Sequence, residues 1–130
     1  MTPEFFTASD YFTVAELETG MSASELSRIV PGDRLLFALF APYAGPHGEL
    51  CLRPLADQAA ALAVSLAAEE FLPRVNGDVA VTAMVGFLAK NGKAVGFARE
   101  HARAVELVER VLDGDAAEAD LAAWVAERIV

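Results

Sequence analysis

Catalysis and metal binding need nucleophiles, proton carriers or ligands brought close together, and this chain offers few such groups near one another. The densest set is Tyr43, His47, Glu49 and Cys51. A thiol, an imidazole and a carboxylate in so short a stretch could supply a nucleophile, its base and a group that orients the base. Positions 47, 49 and 51 share one side only if the segment is an extended strand, and no nucleophile-turn motif surrounds them. The expected reading is therefore a surface histidine in a Gly-Pro-His-Gly turn beside a half-buried cysteine. His101, in Arg99-Glu100-His101-Ala102-Arg103, is predicted to be solvated or ion-paired on a helix. The two histidines are far apart, and no His-x-x-x-His or Glu-x-x-His pair has ligand spacing. Adjacent Glu69 and Glu70 would point about 100° apart on a helix, a poor arrangement for paired acid–base work. The glycines are scattered as turn residues and form no phosphate loop. The sequence assigns no catalytic residue, metal ligand or cofactor.

Charge is the more informative property. The 130 residues carry 10 Lys and Arg against 19 Asp and Glu, a formal charge of −9. A general nucleic-acid binder needs a cationic face, so direct nucleic-acid binding is not expected. The acids are gathered toward the two ends. Glu4, Asp10, Glu16, Glu18 and Glu25 precede the first basic residue, and Glu106, Glu109, Asp113, Asp115, Glu118 and Asp120 surround Arg110 alone. Aromatic residues are concentrated early, with Phe5, Phe6, Tyr11 and Phe12 forming a candidate patch. Together these suggest a docking surface in which acidic helices rim aromatic side chains and meet a basic protein partner.

One segment, Val14 to Ile29, resembles a helix-turn-helix, with Gly20 in the turn and Leu26 and Ile29 spaced to pack a second helix. It departs from that pattern at Glu16, where a small residue is wanted. Its second helix offers phosphates only Arg28, beside Glu25. Two packed helices with no DNA-reading role are expected.

The elements that would position these residues can be read from caps and periodicity. At 55% hydrophobic, the chain can build its own core and is no disordered tail. One cysteine excludes a disulfide scaffold and favours a cytoplasmic location. The start of the chain lacks the basic and apolar regions of a secretory signal. The longest apolar run, Ala59 to Ala68, falls short of the roughly 18 residues a membrane span needs. It predicts a helix in the middle of a bundle, and the 26 alanines favour close helix packing. Asn76-Gly77-Asp78, Asn91-Gly92 and Asp113-Gly114-Asp115 punctuate the second half and predict helices near 57–73, 79–90, 94–112 and 116–129. Asp78 and Asp115 are expected to cap the helices that follow, with Glu118 completing a box with Asp115. Ala98, Ala102, Val105, Val108 and Leu112 predict the apolar stripe of the third helix. Residues 1–33 read as short helices, with Thr2-Pro3 and Asp10 as starts, Gly20 as a stop and a Ser22–Glu25 capping box.

The fold class predicted is mainly α: one domain over 1–130, an antiparallel helical bundle with a four-helix segment at 57–129 and a minor β-hairpin near 35–53. The alternative is α+β, with a second hairpin at 79–98 closed by Asn91-Gly92. For function, the leading expectation is a non-enzymatic acidic domain that binds or inhibits a basic partner, as immunity, antitoxin and anti-defence proteins do. The alternatives are a helical small-molecule binder or enzyme with an apolar pocket under the aromatic-rich N-terminal third, and a homodimeric helix-turn-helix regulator.

Overall fold

The computed structural model describes residues 4–44, 53–95 and 100–129. Within them the chain forms seven α-helices: α1 (Ala8–Thr19), α2 (Ala23–Ile29), α3 (Gly32–Phe40), α4 (Leu55–Glu69), α5 (Asn76–Lys90), α6 (His101–Leu112) and α7 (Glu118–Ala126), with a 3-10 turn at Ala41–Tyr43 between α3 and α4. The mainly α prediction holds. No described helix is long and apolar enough to cross a membrane.

α4 is the hub. It packs against α3, the 3-10 turn, α5, α6 and α7. Nine of its fifteen residues are buried, six of them alanines: Ala56, Ala59, Ala60, Ala61, Ala63 and Ala67. Small side chains let neighbouring helices approach closely, while Leu62 and Leu66 fill the space between them. Ser65 ties α3 to α4, its hydroxyl donating to the Ala38 carbonyl at 2.8 Å. At the other end the Asn76 side-chain amide donates to Ala67 O at 2.7 Å, satisfying a terminal carbonyl of α4 from the first turn of α5. α5 lies so close to α6 that a Cβ at Gly77 would stand 2.9 Å from Val105 Cγ1.

Helix boundaries follow local chemistry, with several shifts from expectation. α1 begins at Thr7, not Asp10. The Thr7 hydroxyl accepts from the Asp10 N–H at 3.1 Å, and the Asp10 carboxylate accepts from the Thr7 N–H at 2.9 Å. Gly20 ends α1 with φ +74°, a conformation that costs glycine little. The Ser22–Glu25 box opens α2 as predicted. Pro31-Gly32 stops α2 and at once starts α3. Thr2-Pro3 lies outside the described residues, and the stretch after it is not helical.

The minor hairpin expected near 35–53 needs correction, whereas the helix expected at 79–90 holds over its alternative hairpin. Residues 35–40 are helical, because Leu35, Ala38 and Leu39 recur at helical spacing and all three are buried. The other half of that hairpin, Glu49–Arg53, falls almost wholly outside the described residues. Residues 79–90 are helical too: Val79, Ala80, Ala83, Met84, Phe87 and Leu88 face the core together, which a two-residue alternation cannot achieve. After α5, Val95 makes an isolated antiparallel bridge with Ile129, so α6 starts at His101 and not near 94.

The stripe on α6 is also rotated from the predicted one. Of the predicted stripe, Val108 is buried and Val105 packs half-buried on the core, Ala102 and Leu112 are exposed, and Ala98 lies outside the described residues; buried Ala104 and half-buried Leu107 and Val111 complete the inward face. Asp78 and Asp115 do not cap. Asp78 instead hydrogen-bonds His101 Nε2 at 2.9 Å. The α7 terminus is instead closed by Asp120, which accepts from Ala117 N–H at 2.8 Å.

Several buried polar atoms are unsatisfied among the described residues, the Tyr11 and Tyr43 hydroxyls and Arg53 Nε among them, and Gln58 is the clearest case. Gln58 is fully buried, and neither atom of its amide has a hydrogen-bond partner. An unmade buried hydrogen bond costs about 1–3 kcal/mol. Gln58→Met should therefore raise stability by about 1–3 kcal/mol in urea unfolding. Leu62→Ala, at the buried hub, should lower it by about 2–5 kcal/mol.

Candidate functional site

Five of the eleven singled-out carboxylates are engaged inside the fold. Asp10 closes the α1 box and meets Lys90 Nζ at 2.7 Å, and Glu18 accepts from the Thr82 hydroxyl at 2.9 Å. Glu25 closes the α2 box, Glu118 lies 3.6 Å from Arg53 Nη1, and Asp120 caps α7. Glu4, Glu16, Glu106, Glu109, Asp113 and Asp115 are exposed. The acids of α1 and α6 do not share one rim. α1 joins α5 through Lys90 and Thr82, whereas α6 packs on its other flank at Gly77.

The aromatic patch is rearranged as well. Phe6 and Tyr11 are buried, Phe12 is half-buried edge-on to Tyr11 at 5.7 Å, and only Phe5 is exposed. Phe6 enters the core against Gly86, and Asn91 holds the segment before α1 by exchanging hydrogen bonds with the Glu4 backbone, at 2.7 and 3.1 Å. Of the Tyr43, His47, Glu49 and Cys51 group, the last three lie outside the described residues and Tyr43 is buried. Burial pushes the Tyr11 and Tyr43 hydroxyls up to about 12, so both stay protonated near neutrality.

Exposed carboxylates do converge at one place. Glu70, Glu109 and Asp113 line adjoining surface hollows of about 390 and 530 Å³ where α4 ends beside the last turn of α6. Glu70 is the left-handed C-cap of α4 (φ +50°) and Asp113 is the C-cap of α6. Two helix C-termini, each equivalent to about half a negative charge, thus add to three carboxylates. Leu112 gives the hollows an exposed apolar edge, and Arg74 contributes one guanidinium. Among the described residues no three His, Cys, Asp or Glu side chains are grouped to hold a metal ion. The carboxylates are spread along a groove, an arrangement suited to several cationic side chains arriving together.

A second hollow, of about 250 Å³, lies between the N-terminal segment and α3, lined by Phe5, Phe6, Leu36, Leu39, Phe40 and Tyr43. It stands where an apolar pocket under the aromatic third was expected. It is smaller than the roughly 300–1,000 Å³ of most small-molecule sites.

Sequence reasoning placed Glu109 and Asp113 among the binding residues and missed Glu70, Leu112 and the outer face of α3. Glu70 joins the others only through the α4–α5 turn, a tertiary effect. The α3 face had a local signal, since Leu36, Phe37 and Phe40 fall outside the helical stripe of Leu35, Ala38 and Leu39. Searches of protein-family models, curated proteins and solved structures found no significant match to this chain.

The Asp10 interaction makes a pH-dependent prediction. Burial pushes its pKa up, but the Lys90 ammonium and the Thr7 N–H and hydroxyl outweigh it and hold the carboxyl below the ordinary carboxylate range. Its stabilising effect is therefore present above the unfolded-state pKa and lost as pH falls through the folded-state value. Asp10→Asn should melt at a lower temperature than the wild type at pH 7, with the gap closing below about pH 4, as followed by circular dichroism.

Proposed function

We propose that this chain is a non-enzymatic, acidic protein-binding domain of the inhibitor type, acting in the cytoplasm on a basic protein partner. The observation supporting this is the convergence of Glu70, Glu109 and Asp113 on one open groove at the negative ends of α4 and α6, beside exposed Leu112. Such a groove suits lysine or arginine side chains, with an apolar neighbour seated on Leu112. Inhibitors of nucleic-acid-handling proteins use the same physics, because carboxylates held on a rigid helical surface can occupy a face built for phosphates.

Glu109 also lies on the exposed side of α6 with Glu106, and Asp115 follows Asp113 in the next turn. These two extend the negative field beyond the groove and would hasten encounter more than they hold the complex.

A synthetic peptide of alternating lysine and leucine, titrated by fluorescence anisotropy, tests the reading. Binding should weaken steeply as salt rises from low to physiological strength. The triple variant Glu70→Gln, Glu109→Gln, Asp113→Asn should bind about tenfold or more weakly, a loss of about 1.4 kcal/mol or more. Neutralising Glu4, Glu16 and Asp33 removes the same formal charge elsewhere and should have a clearly smaller effect. Salt-insensitive binding, or equal losses in both triples, would sink the assignment.

A further inference from the structure

Large apolar side chains are exposed together on the outer side of α3. Phe37 is 81% exposed, Leu36 62%, Phe40 45% and, from the segment before α1, Phe5 50%. Three of them sit on one helix of nine residues, and Phe5, Leu36 and Phe40 line the same shallow hollow. Taking about 150–250 Å² for a whole aromatic side chain, the four expose on the order of 400 Å². A contiguous apolar patch of about 400 Å² is in the range of the largest such patch on a monomer, which is often functional.

We propose that this face is a two-fold interface with a second copy of the same chain. Two observations select that occupant. The first is charge: between residues 19 and 44 the only charged side chains are Glu25, Arg28, Asp33 and Arg34, which sum to zero, so the whole formal charge of −9 comes from the rest of the chain. A basic partner is drawn to the acidic groove, not to a neutral face. Two copies repel each other through most of their surfaces and are least opposed here. The second is area. A stable interface buries about 800 Å² per partner, and an apolar centre of about half that matches the patch. In an isologous contact the same residues meet across the axis, and Phe37, midway along the exposed row, is the residue to place there.

The inference is separate from the proposed function, since Phe37 does not line the acidic groove. Sedimentation equilibrium of the full chain over a concentration series, with circular dichroism to confirm folding, is the test. The wild type should be a dimer. Phe37→Glu should weaken dimerisation by about 100-fold or more, because a two-fold axis brings both new charges together in the interface. Leu36→Glu should act in the same direction. Leu17→Glu, a matching charge at a 79% exposed site on α1, should leave the dimer intact. All three variants should bind the lysine–leucine peptide like the wild type. A wild type that stays monomeric throughout would overturn the proposal, as would a dimer unaffected by both α3 variants. Loss of peptide binding in Phe37→Glu from a monomeric wild type would assign the face to the basic partner instead.

Discussion

A helix enclosed by neighbours on most of its circumference can be accommodated only if its side chains are small where the neighbours cross and large where they leave gaps. α4 meets that condition with six buried alanines set among Leu62 and Leu66. Five elements pack directly on it, α3, the 3-10 turn, α5, α6 and α7, while α1 joins through α5 and α3 and carries α2. Alanine also has the strongest intrinsic preference for helix, so local propensity and tertiary demand agree along this segment. The two polar ties to α4, from Ser65 to α3 and from Asn76 across the turn to α5, fix how neighbouring helices are offset along its axis.

This arrangement also decides where charge can go. With α4 occupying the centre, the charged faces of α1 and α6 are pushed outward on either side of α5. Part of the negative charge is then used to hold helix ends and cross-links, as at Asp10, Glu25 and Asp120. What remains free is strongest where two helices happen to finish together. The neutral α2–α3 region lies apart from that focus in sequence. The acidic groove and the exposed apolar side chains of α3 are lined by different residues, yet they are linked in space, since Arg34 of α3 pairs with Glu69 next to Glu70.

Much of the helical architecture was legible because it is written in short-range chemistry. The Ser22–Glu25 box, Gly20 and the long alanine-rich run each specify a local conformation with little help from the rest of the chain. The hairpin readings, expected at 35–53 and kept as an alternative at 79–98, arose where aromatic residues at 35–40 and β-branched residues at 79–90 can satisfy either period over a few positions; burial of both Ala38 with Leu39 and Met84 with Phe87 settles the matter in favour of helix. The acidic groove was half legible. Glu109 and Asp113 stand out from composition, but their meeting with Glu70 depends on how α4 turns back into α5, and no local pattern encodes that. The aromatic patch misled for a related reason: Phe6 and Tyr11 look the same in sequence as Phe5, and only packing against Gly86 and Phe71 separates core from surface.

The chain's one tryptophan, Trp124, sits on α7 with the Arg128 guanidinium 3.9 Å above its ring, and Arg128 is itself held by Glu100. Its emission is therefore an optical gauge of the C-terminal end alone, tuned by a cation stacked on the indole. Quenching or a colour shift during denaturant titration would time the release of α7 and say little about the aromatic N-terminal third, which must be watched through its phenylalanines and tyrosines.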